Sequence, residues 1–202
     1  MRVMTSRWWI YQRERFPLLA HGPLIAVFVA SALSFTALGR SPTHFPDPAV
    51  ATAAFLTVLL FFLELRIADE FKDYEDDLHY RPYRPVPRGL VTLGELGVVG
   101  AASALVQLGL AIWMSSSLAP LLALVWAYVS LMAAEFFVRD WLKAHPMAYM
   151  LSHLPIVPLI YFYVTAGDWY IAGTPPPRGL VWALAASFAT GAVVEIGRKS
   201  VV

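Results

Sequence analysis

Residues 49–77 read AVATAAFLTVLLFFLELRIADEFKDYEDD, an apolar run that ends in a dense group of acids. A helix needs roughly 20 apolar residues to cross the hydrocarbon core of a bilayer, and the stretch from Ala49 through Leu63 toward Ala68 supplies them. Five more apolar stretches of spanning length surround it: Pro17 to Leu38, Leu93 to Met114, Leu118 to Val138, Met147 to Ala166 and Gly179 to Val194. The composition agrees. Of 202 residues, 58% are hydrophobic and only 14% charged, where a soluble domain is roughly one-quarter charged. Long apolar runs favour helical spans over a barrel, whose strands show short alternating segments. The fold class expected is an all-α polytopic membrane bundle with six transmembrane helices, forming a single membrane domain over residues 1–202.

Absence of cysteine excludes disulfides and thiolate metal sites. A net charge of +1, with cations and acids mixed, argues against nucleic acid as a partner. The first apolar run is of spanning length with no small-residue cleavage pattern behind it, so no removable secretory signal is expected. Cytoplasmic loops retain lysine and arginine. With the N-terminus inside, all of the 15 lysines and arginines except Arg40 and Arg178 fall on the cytoplasmic side. Both termini are therefore expected in the cytoplasm, and any chemistry should face it. Trp8, Trp9 and Tyr11, set among arginines, suit an interfacial helix that anchors the first span.

Six of the 14 acids crowd into residues 69–77: Asp69, Glu70, Asp73, Glu75, Asp76 and Asp77. If the second helix continues past its apolar run, Asp69, Asp73 and Asp77 share one face, and Glu70 reaches Asp73 at a spacing of three. Like charges at these spacings destabilise an isolated helix. A divalent cation removes the conflict, and magnesium is typically held by one or two carboxylates plus substrate phosphates. The spacing suggests a metal and diphosphate site; a solvated acidic loop is the plainer alternative. Glu64 adds weight to the first, because an ionisable residue inside a span is expensive unless it faces a polar cavity.

Next comes Arg81-Pro-Tyr-Arg-Pro-Val-Pro-Arg-Gly89. Three prolines exclude a regular helix and favour an extended polyproline-like path that puts Arg81 and Arg84 on one side. Guanidinium groups on a stiff segment suit phosphate oxygens, although positive-inside residues touching anionic lipid have the same composition.

Together these segments resemble the UbiA superfamily of intramembrane prenyltransferases. Asp69, Glu70, Asp73 and Asp77 fall in the register of that family's N-D-x-x-D-x-x-x-D motif, with Asp69 where asparagine is usual and Glu70 where the first aspartate is usual. Arg84-Pro-Val-Pro-Arg-Gly-Leu-Val-Thr92 is similar to its Arg-Pro-Leu-Pro-x-Gly-x-Val-Ser/Thr segment, and Arg15-Phe-Pro17 to the opening of its first helix. The resemblance implies a helical bundle around a cavity open to the cytoplasm and lipid. There Mg2+ would bind a prenyl diphosphate, and a hydrophobic or aromatic acceptor would capture the allylic cation. It also implies roles: Asp69, Glu70, Asp73 and Asp77 as metal-binding and catalytic residues, and Arg15, Arg81, Arg84 and Arg88 as diphosphate ligands. Arg139 and Lys143, at the end of the fourth span, stand where relatives carry basic residues that contact diphosphate. Glu195 takes the first position of the second acidic motif, D-x-x-x-D, and Lys199 falls where its second acid would be. Six spans rather than the common nine give the expectation of an incomplete bundle lacking the family's last third.

Two other classes keep a place. One is a truncated, inactive relative that binds lipid or a partner. The other is a small transporter with Glu64, Glu135 and Glu195 along a path. His21 and His153, in spans and beside prolines, read as backbone-bonded histidines or as cavity-facing groups, and Tyr161 and Tyr163 as wall residues.

Overall fold

A computed structural model of the chain describes residues 6–40 and 47–200; the side chains of Arg40 and of residues 198–200, Lys199 among them, lie outside the described residues. It is built of helices, with no strand among the described residues. A short helix α1 (Arg7–Arg15) leads into α2 (Leu18–Arg40), which is followed by α3 (Pro48–Lys72) and the small α4 (Tyr74–Tyr80). After the Arg-Pro segment come α5 (Leu93–Met114) and α6 (Ala119–Ala133). Then follow α7 (Arg139–Ala144), α8 (Pro146–His153), α9 (Ile156–Ile171) and α10 (Leu180–Ser200). Six stretches are long and apolar enough to cross a membrane: Leu18–Gly39, Pro48–Lys72, Leu93–Met114, Ser116–Ala133, Pro146–Ile171 and Leu180–Gly197. The chain is a multi-pass membrane protein.

Three features differ from the sequence expectation. The fourth span stops at Ala133, because Glu135, Phe136 and Phe137 all take positive φ (47°, 52° and 61°) and form a left-handed turn. The fifth runs on to Ile171, and at Leu154–Pro155 it divides into α8 and α9, where a proline without an N–H interrupts the helical ladder. The Arg-Pro segment is a chain of hydrogen-bonded turns, not an extended polyproline path. The Arg84 amide donates to the Arg81 carbonyl at 3.0 Å and that of Arg88 to Arg84 at 3.0 Å, and Gly89 takes the positive φ (76°) that a side chain would resist.

α3 is the axis of the bundle, packing along α5, α2 and α6, while α9 packs against α2 and α10. The main core joins Phe61 and Val58 of α3 to Leu122 and Val125 of α6 and Ile160, Tyr163 and Val164 of α9. Tyr161 and Tyr163 are core residues, each edge-on to a phenylalanine (Phe28 and Phe61), and neither lines the main chamber described below. α1 does more than lie on a surface. Tyr11 is buried in a second core with Ile67, Val86, Val91 and Leu96, and Arg7 pairs with Glu95 at 2.7 Å. That core and the capping box of Thr92 with Glu95 hold the start of α5 beneath the Arg-Pro turns.

Gln107, with no exposed surface, ties three spans. Its amide donates to the Thr57 carbonyl on α3 at 3.1 Å, and its side-chain oxygen accepts from Trp126 Nε1 on α6 at 2.9 Å. Gln107→Leu keeps the volume and removes both bonds. The expected loss is about 1 kcal/mol of stability in reversible detergent unfolding; an unchanged midpoint would show that the pair contributes nothing.

Candidate active site

The acidic run sits where α3 passes into α4. The helix breaks at Asp73 alone (φ −95°, ψ 4°), yet every-fourth-residue hydrogen bonding persists, from the Asp73 amide to Asp69 at 2.9 Å and from Asp77 to Asp73 at 2.8 Å. The expected spacing of Asp69, Asp73 and Asp77 therefore survives the break. Their settings differ. Glu70 is buried and paired with Arg15, the last residue of α1. Asp77 is buried under two guanidinium groups: Arg81 Nη1 donates to Oδ1 at 3.0 Å and Arg84 Nη1 to Oδ2 at 2.5 Å. The turns of the Arg-Pro segment bring Arg81 and Arg84 to one carboxylate. Arg88 goes elsewhere, to Glu14 at 3.1 Å and the Tyr83 carbonyl at 3.0 Å, and ties this segment to α1.

Asp69 is partly exposed beside Arg66 (3.5 Å) and Lys72 (3.4 Å). Lys72, a residue the motifs do not point to, is the hub. Its ammonium donates to the Tyr149 hydroxyl at 2.9 Å, lies 3.9 Å from Glu135, and rides over the Tyr149 ring at 5.5 Å. Glu135 and Arg139 form an ion pair, at 3.6 Å, across the left-handed turn. Arg139 also donates to the Lys72 carbonyl at 3.2 Å, and Arg139 and Lys143 converge on Asp76 at 3.6 and 3.1 Å. The Lys143 hydrogen bond holds the Asp76 carboxyl below its usual range. Arg139 and Lys143 thus both reach the acidic segment, through an acid outside the motif.

Tyr149 is also the link to an apolar chamber of about 460 Å³. Phe28, Phe62, Leu65, Met150, Val157 and Ile160 line it, together with His21, His153 and, on α10, Glu195. Glu195 is therefore a wall residue of the chamber. Among the described residues no three acids or histidines converge as a metal cluster, so the expected set of Asp69, Glu70, Asp73, Asp77 and Glu195 is not preassembled. Two of these residues do suit magnesium, which requires only one or two carboxylates besides phosphate oxygens. Asp69 and Asp73 stand one helical turn apart and are not buried beneath arginines. Burial pushes the Asp73 carboxyl above its usual range, and Asp69 and Asp77 add to this against the opposing pull of Lys72 and Arg84. A divalent cation relieves that conflict.

The three acids of a transport path lie in separate settings. Glu64 borders a small-residue recess with Gly100, Ala104 and Ser130, Glu135 is held at the turn, and Glu195 borders the chamber.

Arg15 and Glu70 are, respectively, 11% and 1% exposed at their side chains. Removing one partner strands the other charge, so Arg15→Leu should cost about 3 kcal/mol or more, and Arg15→Leu with Glu70→Leu should recover most of it. Denaturation of the two variants in detergent checks this; a single variant as stable as wild type would dissolve the pair's structural role.

No family model matches the chain, and no solved structure matches it. Over 69 residues it is 39% identical to the digeranylgeranylglyceryl phosphate synthase of Thermococcus onnurineus (strain NA1), a stretch covering 34% of this chain. The chain covers 24% of that relative's length. This partial likeness supports the superfamily to which the acidic and Arg-Pro motifs point.

Proposed function

We propose that the chain is a membrane-embedded prenyltransferase, which binds a prenyl diphosphate with its head at the α3–α4 junction and its tail in the apolar chamber. The observation that carries this is the join at Tyr149: the residue lines the chamber, and its hydroxyl accepts from Lys72, the cation nearest Asp69. An amphiphile with a doubly charged head and an isoprenoid tail matches that change of surroundings over one side chain. The likeness to a named prenyl-transferring synthase supports the same reading.

In this reading Lys72, Arg81 and Arg84 stabilise the charge that develops on the departing diphosphate. Asp69 and Asp73 would hold Mg2+, which when bound would supply Lewis-acid stabilisation of the same leaving group. Glu70 and Asp77 serve as anchors: Glu70 fixes Arg15 against α3, and Asp77 aims Arg81 and Arg84. The apolar walls keep water from the allylic carbon until an acceptor captures it. The positive-inside pattern supports a cytoplasmic position for this face. A binding-only relative is the second reading, favoured by the absence of a three-acid cluster among the described residues.

Asp73→Asn gives a paired test. With the carboxyl pKa raised in the fold, ionisation of Asp73 costs stability as pH rises through the folded value. The asparagine variant should therefore be more stable than wild type at neutral pH and equal to it in acid. Magnesium-dependent release of diphosphate from geranylgeranyl diphosphate in lipid nanodiscs should fall by roughly two orders of magnitude or more in the same variant. Equal release would remove Asp73 from the mechanism, and binding without any release in wild type would favour the binding-only reading.

A further inference from the structure

Between α6 and α7 the backbone leaves its ordinary range. Glu135, Phe136 and Phe137 take φ of 47°, 52° and 61° in succession, and none of them is glycine or asparagine. Left-handed backbone is unfavourable for such side chains and persists only where the surroundings impose it. The turn carries the Glu135 carboxylate into the bundle, where it is buried. Its Oε1 lies 3.9 Å from the Lys72 ammonium, and its Oε2 lies 3.6 Å from Nε of Arg139. Among the described residues Glu135 is the one acid paired with both cations: Asp69 reaches Lys72, and Asp76 reaches Arg139.

Both contacts are longer than a hydrogen bond, and Oε2 has no hydrogen-bond partner. They therefore use up none of the donors on either cation. Lys72 gives one N–H to the Tyr149 hydroxyl and Arg139 one to the Lys72 carbonyl, so an ammonium with three donors and a guanidinium with five keep others for a ligand. A buried carboxylate with so few bonds, reached through a strained turn, is a poor device for stability alone. Two cations held close together do need an anion between them. We propose that Glu135 is a positioning residue: the left-handed turn sets its carboxylate between Lys72 and Arg139 and so fixes the spacing at which they receive a diphosphate. This rests on the prenyl-transfer reading, in which the diphosphate head lies beside Lys72. Glu135 acts through the cations and need not touch the ligand.

The test is calorimetric titration of inorganic pyrophosphate into the full chain in lipid nanodiscs, with Mg2+ in every arm. Charge and positioning predict opposite signs. Removing a negative charge from an anion site tightens binding if charge alone matters, whereas lost positioning weakens it. Glu135→Gln should weaken pyrophosphate on the order of tenfold. That loss should shrink when Arg139→Gln is made first, because the carboxylate then has one cation fewer to place. Phe137 is 82% exposed, so it tests the turn with little loss of packing. Phe137→Gly accepts positive φ and should bind as wild type does, whereas Phe137→Pro, whose φ is fixed negative, should lose affinity as Glu135→Gln does. Unchanged or tighter binding in Glu135→Gln, an undiminished loss in the Arg139→Gln background, or wild-type binding in Phe137→Pro would overturn the proposal. So would a Glu135→Gln chain that unfolds at a lower midpoint yet binds normally, the mark of a structural role. Release of diphosphate from geranylgeranyl diphosphate is assayed separately. A chain that binds pyrophosphate in the expected pattern but releases none would sink the prenyl-transfer reading and leave the role of Glu135 standing; no pyrophosphate binding in wild type would end both.

Discussion

Glu70 and Asp77 are carboxylates taken almost wholly out of water at the end of a membrane-spanning helix, and they are tolerable there only because guanidinium groups come to them. Much of the surrounding architecture follows. To deliver Arg15, α1 must fold back over α3, and Tyr11 is buried on the way. To deliver both Arg81 and Arg84, the proline segment must curl into turns beneath α4. The three ion pairs of these two carboxylates therefore fix the ceiling of the site before any ligand arrives, and leave Asp69, Asp73 and Lys72 outside those pairs, with Lys72 joined to the chamber wall through Tyr149.

That division of labour refines the motif. Four acids in one register suggest four equivalent metal ligands, whereas the fold gives them two kinds of work. Glu70 and Asp77 are buried in ion pairs with Arg15, Arg81 and Arg84, whereas Asp69 and Asp73 lie outside those pairs and are the two proposed as metal ligands. The same separation gives the chamber its gradient, from ammonium and carboxylate at the Tyr149 hydroxyl to phenylalanine, valine and isoleucine beyond its ring. An amphiphilic substrate would be oriented by that gradient before any chemistry.

The spans were legible in the sequence because hydrocarbon thickness demands unbroken apolar length, which local context hardly alters. The acidic register was legible too, since helical spacing survives the single break at Asp73. The left-handed turn at Glu135–Phe137 was not, because it contains no glycine or asparagine to announce positive φ; the packing of Phe136 against Tyr128 and His153 accompanies it. Lys72 read as one more cytoplasmic cation, and no motif singled out Tyr149. Their contact spans 77 positions, a relation that periodicity cannot carry. The path of the Arg-Pro segment was misread for a related reason: proline content sets local stiffness, but the pull of buried Asp77 on two arginines sets direction.

The central claim is that one amphiphile bridges the α3–α4 junction and the chamber. Photolabelling with a geranyl diphosphate analogue carrying benzophenone at its far end, followed by peptide mapping, tests it directly. The account predicts label on chamber residues of α8 and α9, such as Met150, Val157 and Ile160, suppressed by excess unlabelled prenyl diphosphate. Label confined to the recess beside Glu64, or to the outward faces of α5 and α10, would contradict it.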